Sequence, residues 1–218
     1  MTTPAILFED GEALVIDKPA GLPLDPPRSG GPSLADHLDA LRLGFQREPA
    51  PVHRLDRDTS GCLLLARNPK ALKRFSRAFE ERLVTKRYLG IVAGEVTEDE
   101  GSILLSLSKV STAKDGWRMI AARRGKPAVT HWRRLTTRNG LTLVEFRPET
   151  GRTHQIRVHA AQGLGFALLG DPVYGDGKGA DRTMLHAAAL GVPREGKPAI
   201  EAVSPLPADF AALGFSDE

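Results

Sequence analysis

The stretch that most limits the possible folds is Ser60-Gly-Cys-Leu-Leu-Leu-Ala-Arg-Asn-Pro69. From Cys62 to Ala66 every residue is apolar, with no polar residue at alternate places. A strand over Cys62–Arg67 must therefore be covered on both faces. Asn68 and Pro69 then form a side-chain cap and a first-turn proline, which open a helix running to about Arg82. Its apolar stripe is read as Leu72, Phe75, Phe79 and Leu83, with basic side chains on the other faces.

Upstream, Ala5–Phe8 and Ala13–Asp17 flank the turn residues Glu9–Glu12 and predict a β-hairpin. Lys18–Gly31 is loop, because proline and glycine make up half of it. Ser33 predicts an N-cap for a helix through about Leu43. Downstream, Lys86–Ala93, Ser102–Ser106, Ala128–Leu135 and Leu141–Pro148 predict strands, and His154–Gln162 a short helix stopped by Gly163. Helices interrupt runs of neighbouring strands without alternating with them, so the predicted class is α+β with a mixed, largely antiparallel sheet.

Composition narrows the choice. Glycine (22) and proline (16) are too frequent for a helical bundle. At 218 residues the chain can bury a core without a staple and is expected to form a single domain, 1–218. A single cysteine excludes internal disulfides and a cysteine-based zinc cluster and fits a reducing cytoplasm. Cys62 itself is expected to be a small buried hydrophobe. No apolar run approaches transmembrane length. The acidic start is not a secretory signal.

The net charge of +3 is unevenly spread. Arg67–Arg87 holds eight Lys/Arg against Glu80 and Glu81, and Lys114–Arg138 holds eight against Asp115 alone. Acidic residues collect in Met1–Asp25 and Ala199–Glu218. Two basic segments in one small protein favour a polyanionic partner, nucleic acid first, over two merely solvated faces.

Two clusters could carry chemistry. In Pro51-Val-His-Arg-Leu-Asp-Arg-Asp-Thr-Ser-Gly61, an extended backbone would put Arg54, Asp56 and Asp58 on one face. A carboxylate beside an arginine stays ionised and can serve as nucleophile or electrostatic stabiliser. A surface turn with ordinary ion pairs is the alternative. In Thr150-Gly-Arg-Thr-His-Gln-Ile-Arg-Val-His159, Arg152, His154 and Arg157 gather at the start of a short helix, where unpaired N–H groups favour anions. His154 and His159 are five apart with no carboxylate between them, which is not zinc spacing. Gly191–Lys197 has phosphate-loop spacing, but Pro198 supplies no hydroxyl and breaks the required helix.

Together these residues resemble a family. His53-Arg-Leu-Asp-Arg-Asp-Thr-Ser-Gly61 matches the H-R-L-D-x-x-T-S-G motif of the RluA family of RNA pseudouridine synthases. Lys86-Arg-Tyr88, Gly151–His159, Leu169-Gly-Asp-Pro-Val-Tyr-Gly175 and Asp17-Lys-Pro-Ala-Gly-Leu22 resemble its other motifs in order and spacing. The resemblance spans roughly residues 5–210. It implies the pseudouridine synthase fold, a mixed sheet flanked by helices around an active-site cleft. It implies Asp56 as catalytic aspartate, Tyr88 as active-site tyrosine and Arg157 as the arginine pairing with the aspartate. Arg54 matches the arginine implicated in opening the RNA helix, and Arg152, His154, Thr59 and Lys86 are carried over as substrate contacts.

The implied reaction isomerises uridine in ribosomal or transfer RNA, with no metal and no cofactor. The implied partner is a structured RNA stem-loop, not DNA or a membrane, and the protein is expected to be a cytoplasmic monomer. Only sixteen residues precede Asp17, so the small N-terminal RNA-binding module of many relatives is expected to be absent. Rival readings are a non-catalytic RNA chaperone on the same scaffold and a metal-dependent RNA hydrolase.

Overall fold

The computed structural model describes residues 3–27, 29–112 and 116–216. Met1, Lys114, Asp115, Asp217 and Glu218 of the charge segments, and Arg28 of the Lys18–Gly31 loop, lie outside the described residues. The strands are β1 (Ala5–Glu9), β2 (Ala13–Lys18), β3 (Ala50–Pro51), β4 (Ser60–Ala66), β5 (Thr85–Val92) and β6 (Glu100–Thr112). They continue with β7 (Gly116–Ala121), β8 (Lys126–Arg138), β9 (Leu141–Pro148), β10 (Leu185–Val192) and β11 (Ile200–Val203). The α-helices are short: α1 (Pro69–Glu80), α2 (Gln155–Val158) and α3 (Ala208–Ala212). The chain divides into two compact units, Met1–Lys86 with His186–Leu206, and Arg87–Leu185 with Pro207–Glu218.

In the first unit the strand order is β1-β2-β4-β10, with β3 added to β4 and β11 to β10. β2 and β4 run antiparallel from Ala13↔Ala66 to Lys18↔Gly61, whereas β10 joins β4 in parallel through His186↔Ser60. All seven residues of β4 are buried, so the strand is covered on both faces as its composition requires. One face packs Cys62, Leu64 and Ala66 against Ala71, Phe75 and Ala78 of α1 and against Leu190, Val192, Ile200 and Ala202. Each leucine fully buried in this way contributes about 1.5–3 kcal/mol. Gly61 has φ +105, and a Cβ there would stand 2.2 Å from the Ala187 carbonyl oxygen. Only glycine allows β10 to approach so closely.

In the second unit the order is β5-β9-β8-β6-β7, antiparallel throughout. Its core holds Val92, Val96, Ile103, Trp132, Val144, Phe146, Ile156, Ala160, Leu168 and Leu185. The α+β, mixed and largely antiparallel class therefore holds.

Several local expectations need correction. α1 is capped as predicted, with the Asn68 side chain accepting from Ala71 N at 2.8 Å. Its buried stripe, however, is Ala71, Phe75 and Ala78, with Leu72 and Phe79 only partly covered. The chain leaves the helix through Arg82 at φ +59, which turns Leu83 out to 52% exposure. Ser33 does begin a helical segment, its N–H donating to Asp36 at 2.8 Å, but that segment consists of two 3-10 turns, Leu34–His37 and Ala40–Arg42. Only Leu34 and Leu41 are buried there, too little apolar surface to hold a continuous α-helix.

α2 continues into a wide π-helical turn, His159–Leu164, and ends at Gly165 with φ +87. Gly163 serves packing and does not stop the helix: a Cβ there would meet Ile103 Cγ2 at 2.4 Å. β6 and β8 outrun their predicted spans because backbone pairing with neighbouring strands extends through their polar, exposed ends, as in Thr112↔Gly116 and Arg138↔Leu141. Gly191–Lys197 takes in the last two residues of β10 and most of the β10–β11 hairpin loop, closed by Val192↔Ile200, and leads into a strand. Among the described residues no helix is long and apolar enough to cross a membrane.

Candidate active site

The first unit presents the loop between β3 and β4, which carries Arg54, Asp56 and Thr59. Its base is fixed to β4: Val52 N donates to the Leu64 carbonyl at 3.0 Å, and Leu64 N donates to His53 Nε2 at 3.0 Å. The His53 ring stacks on Phe79 with centroids 4.7 Å apart. Burial, and then the nearby Lys86 ammonium, push its pKa down to about 4, so the ring is a neutral acceptor at neutral pH.

Beyond His53 the chain reverses, with Thr59 N donating to the Asp56 carbonyl at 3.1 Å. The extended alternation that would align Asp58 with Arg54 and Asp56 thus ends at Asp56. Arg54 is exposed and lies 3.3 Å from Asp25. Thr59 is buried at the turn's end. Next to it, Ser60 Oγ lies 2.9 Å from Nδ1 of the buried His186.

The turn at Asp56 is anchored by a residue that the sequence motifs leave without a role. Lys18, at the end of β2, is 0% exposed. Its ammonium donates to the carbonyls of Pro19 (2.8 Å), Leu22 (2.9 Å) and Arg57 (2.9 Å). Gly21 N donates to the same Arg57 carbonyl at 2.9 Å, and Arg57 Nε returns a bond to the Gly21 carbonyl at 3.2 Å. A buried ammonium is tolerable only when its protons are used, and here three carbonyls receive them. The signal was a lysine closing an apolar strand directly before proline, Ala13-Leu-Val-Ile-Asp-Lys-Pro19. Lys86 also belongs to this unit. Burial, with Arg82 adding repulsion, pushes its pKa down to about 8.

The second unit holds the other predicted residues. Tyr88 lies on β5 opposite Phe146 and packs at the edge of the apolar core. Arg157, on α2, is buried and clasps Asp171: Nε meets Oδ2 at 2.8 Å and Nη2 meets Oδ1 at 2.7 Å. Burial alone would raise the Asp171 pKa. Arg157 and the N–H groups of Val173 and Tyr174 outweigh it, and the carboxyl stays below its ordinary value. Arg157 also sits 5.2 Å from the Tyr174 ring centroid. Asp171 falls within the Leu169–Gly175 motif, but its role there could not be read from the sequence, because its partner is fourteen residues away and invisible to local spacing.

The segment before α2 is pinned by Gln155. Its amide accepts from Thr150 Oγ1 and Arg152 N, and donates to Val129 O and Thr130 Oγ1. His154 adopts φ +52, and its Nδ1 meets the Tyr174 hydroxyl at 3.0 Å. Arg152 Nε donates to the Pro127 carbonyl at 3.2 Å. Asp56, Arg54, Thr59 and Lys86 thus belong to the first unit, and Tyr88, Arg152, His154 and Arg157 to the second.

Residues 12–162, which include Asp56, Tyr88 and Arg157, match the family model described as RNA pseudouridylate synthase. The chain belongs to the RNA pseudouridylate synthase family. Pseudouridine synthases are isomerases, and the expected family and reaction class both hold. A relative from Zymomonas mobilis, described as an uncharacterized RNA pseudouridine synthase, is 54% identical over 212 residues, covering 96% of this chain and 97% of that protein. Ribosomal large subunit pseudouridine synthase D of the same organism is 37% identical over 194 residues. That match covers 85% of this chain but only 60% of the longer synthase. Among solved structures, human RNA pseudouridylate synthase domain containing 4 aligns with a TM-score of 0.79 at 28% identity, covering 95% of this chain and 90% of that one. The synthase fold expected from the motifs is therefore the fold adopted.

Proposed function

We propose that the chain converts specific uridines of ribosomal or transfer RNA to pseudouridine in the cytoplasm, with Asp56 as the catalytic carboxylate. The observation that carries this reading is the Asp56 turn, held from one side by Lys18 on Arg57 O and from the other by His53 on Leu64 N. A carboxylate on so constrained a loop has little freedom left to lose when substrate arrives. In the reaction the N1–C1′ bond breaks, the uracil turns while bound, and C5 bonds to C1′. The C5 hydrogen leaves as a proton, N1 takes one up, and the mass is unchanged.

Tyr88 is assigned the uracil ring and Arg157 the charge partnership, both through their motif positions. Arg54, Thr59, Lys86, Arg152 and His154 are assigned to the RNA. A paired or stacked uridine cannot present its C1′ until it leaves the helix, so the target is flipped, at least cost in a short stem-loop. The exposed Arg54 is suited to fill the gap, and its reach to Asp25 is a loose surface pair that RNA can replace.

Mapping pseudouridines in cellular ribosomal and transfer RNA, with and without the gene, tests the substrate assignment. One or more sites should vanish with the gene and return with the wild-type chain but not with Asp56→Asn. An unchanged map in both RNA classes would overturn it.

A further inference from the structure

The antiparallel β6–β7 hairpin of the second unit pairs Ser111 with Trp117 and Lys109 with Met119. It displays an indole that the isomerisation does not require. Trp117 is 47% exposed, unlike Trp132, the other tryptophan of the chain, which is 9% exposed in the core. The exposed ring is nonetheless well supported. His154 lies against it with ring centroids 5.0 Å apart, and His154 is held edge-on to Tyr174, whose hydroxyl takes the Met119 N–H at 3.0 Å. The Lys109 ammonium stands 4.8 Å from the indole centroid.

The far end of the strand that carries Trp117 is cationic: Arg123, Arg124 and Lys126 are exposed where β7 turns into β8. The basic residues elsewhere in this unit are largely spent on carboxylates. Arg87 and Arg147 bind Glu145 with Arg133 close by, and Arg134 binds Asp99. An exposed, braced indole beside an ammonium, on a strand with a cationic far end, fits one ligand chemistry above others. It suits a flat, electron-rich base on a phosphate chain.

We propose that Trp117 is a stacking platform for one unpaired base of the RNA, with Lys109 turning from the indole face to the adjoining phosphate. This site lies apart from Asp56 in the chain and reads no particular base, because every base offers a π-face. It rests on the pseudouridine synthase reading only in that the strand bound there is the substrate RNA.

The test titrates the full chain with a short unstructured oligouridylate, following indole fluorescence and, separately, anisotropy of a labelled oligonucleotide. Inorganic polyphosphate serves as the base-free control. Stacking should quench the exposed tryptophan with the oligonucleotide and not with polyphosphate. Trp117→Leu should weaken binding about 5- to 150-fold, the range of one stacked base, and abolish the quench. Trp117→Tyr should restore binding to within a few fold, which loss of folding would not do. Equal binding by Trp117→Leu, or displacement by polyphosphate with no quench in the wild type, would overturn the platform and leave a surface that binds by charge alone. Release of tritium from C5-labelled RNA is measured in parallel. If no RNA is isomerised while the quench persists, the synthase reading fails and the platform stands.

Discussion

Replacing Lys18 with methionine isolates what the anchored turn contributes. The substitution keeps the length of an apolar stem in a fully buried position but removes the ammonium and its three donors. The Arg57 carbonyl keeps Gly21 N as a partner, so two carbonyls, those of Pro19 and Leu22, lose the donor Lys18 gave them. Pro19 is exposed and its carbonyl can turn to water, so the Leu22 carbonyl alone is left unmet in the interior, at a cost of about 1–3 kcal/mol. Relief of the desolvated charge pulls the total toward the lower end. The larger effect is expected on turnover. A turn freed by about 1 Å misplaces the Asp56 carboxylate, which typically costs about a hundredfold in rate. Urea denaturation gives the stability change. Tritium release from C5-labelled RNA, at saturation and under conditions where the variant is fully folded, gives kcat. RNA affinity should stay within about twofold of wild type. A folded Lys18→Met variant with wild-type kcat would show that the turn needs no such anchor.

Three further predictions concern other parts of the molecule. Asp171→Ala removes the carboxylate that clasps buried Arg157, so it should destabilise the chain by about 3–5 kcal/mol and depress activity, and a thermal midpoint equal to wild type would contradict this. The pKa of His159 is pushed down to about 4 by burial, and that of His53 to about 4 by burial and then Lys86. The unfolded chain therefore binds more protons than the folded one between about pH 4 and 6.5. Stability should be full above pH 6.5 and fall on acidification, by up to about 3 kcal/mol for each ring, and a urea midpoint unchanged from pH 7 to 4.5 would refute it. Arg54→Ala should slow modification of a uridine in a stem more than one in a flexible loop, and equal slowing would remove its role in opening the helix.

What the sequence made legible were the features written in contiguous residues. The apolar run at Cys62 announced a doubly covered strand, Asn68-Pro69 announced α1, and Leu141–Pro148 was bounded to the residue. Misreadings arose where distant chain decides. Leu83 has the spacing of a helical stripe's last member, but Arg82 turns left-handed before it, and Gly163 has the place of a helix stop, but Ile103 claims the space its side chain would fill. The basic run at Arg67–Arg87 reads as a phosphate grip, yet Arg67 and Arg74 are committed to Glu9 and Glu12 of the acidic start. The candidate site divides in the same way. The motif residues around Asp56 could be named from spacing, while Lys18 and Asp171 act through carbonyls and a guanidinium that only folding brings to them.

The central claim is that this chain isomerises uridine through Asp56. Asp56→Asn keeps the side chain's shape and removes its charge, so folding and RNA binding should persist. The most direct measurement is tritium release from RNA labelled at uridine C5 by the wild-type chain and by this variant, in parallel with circular dichroism and RNA affinity. The account predicts release by the wild type and none above background by a folded, RNA-binding Asp56→Asn variant. Appreciable release by that variant would contradict it.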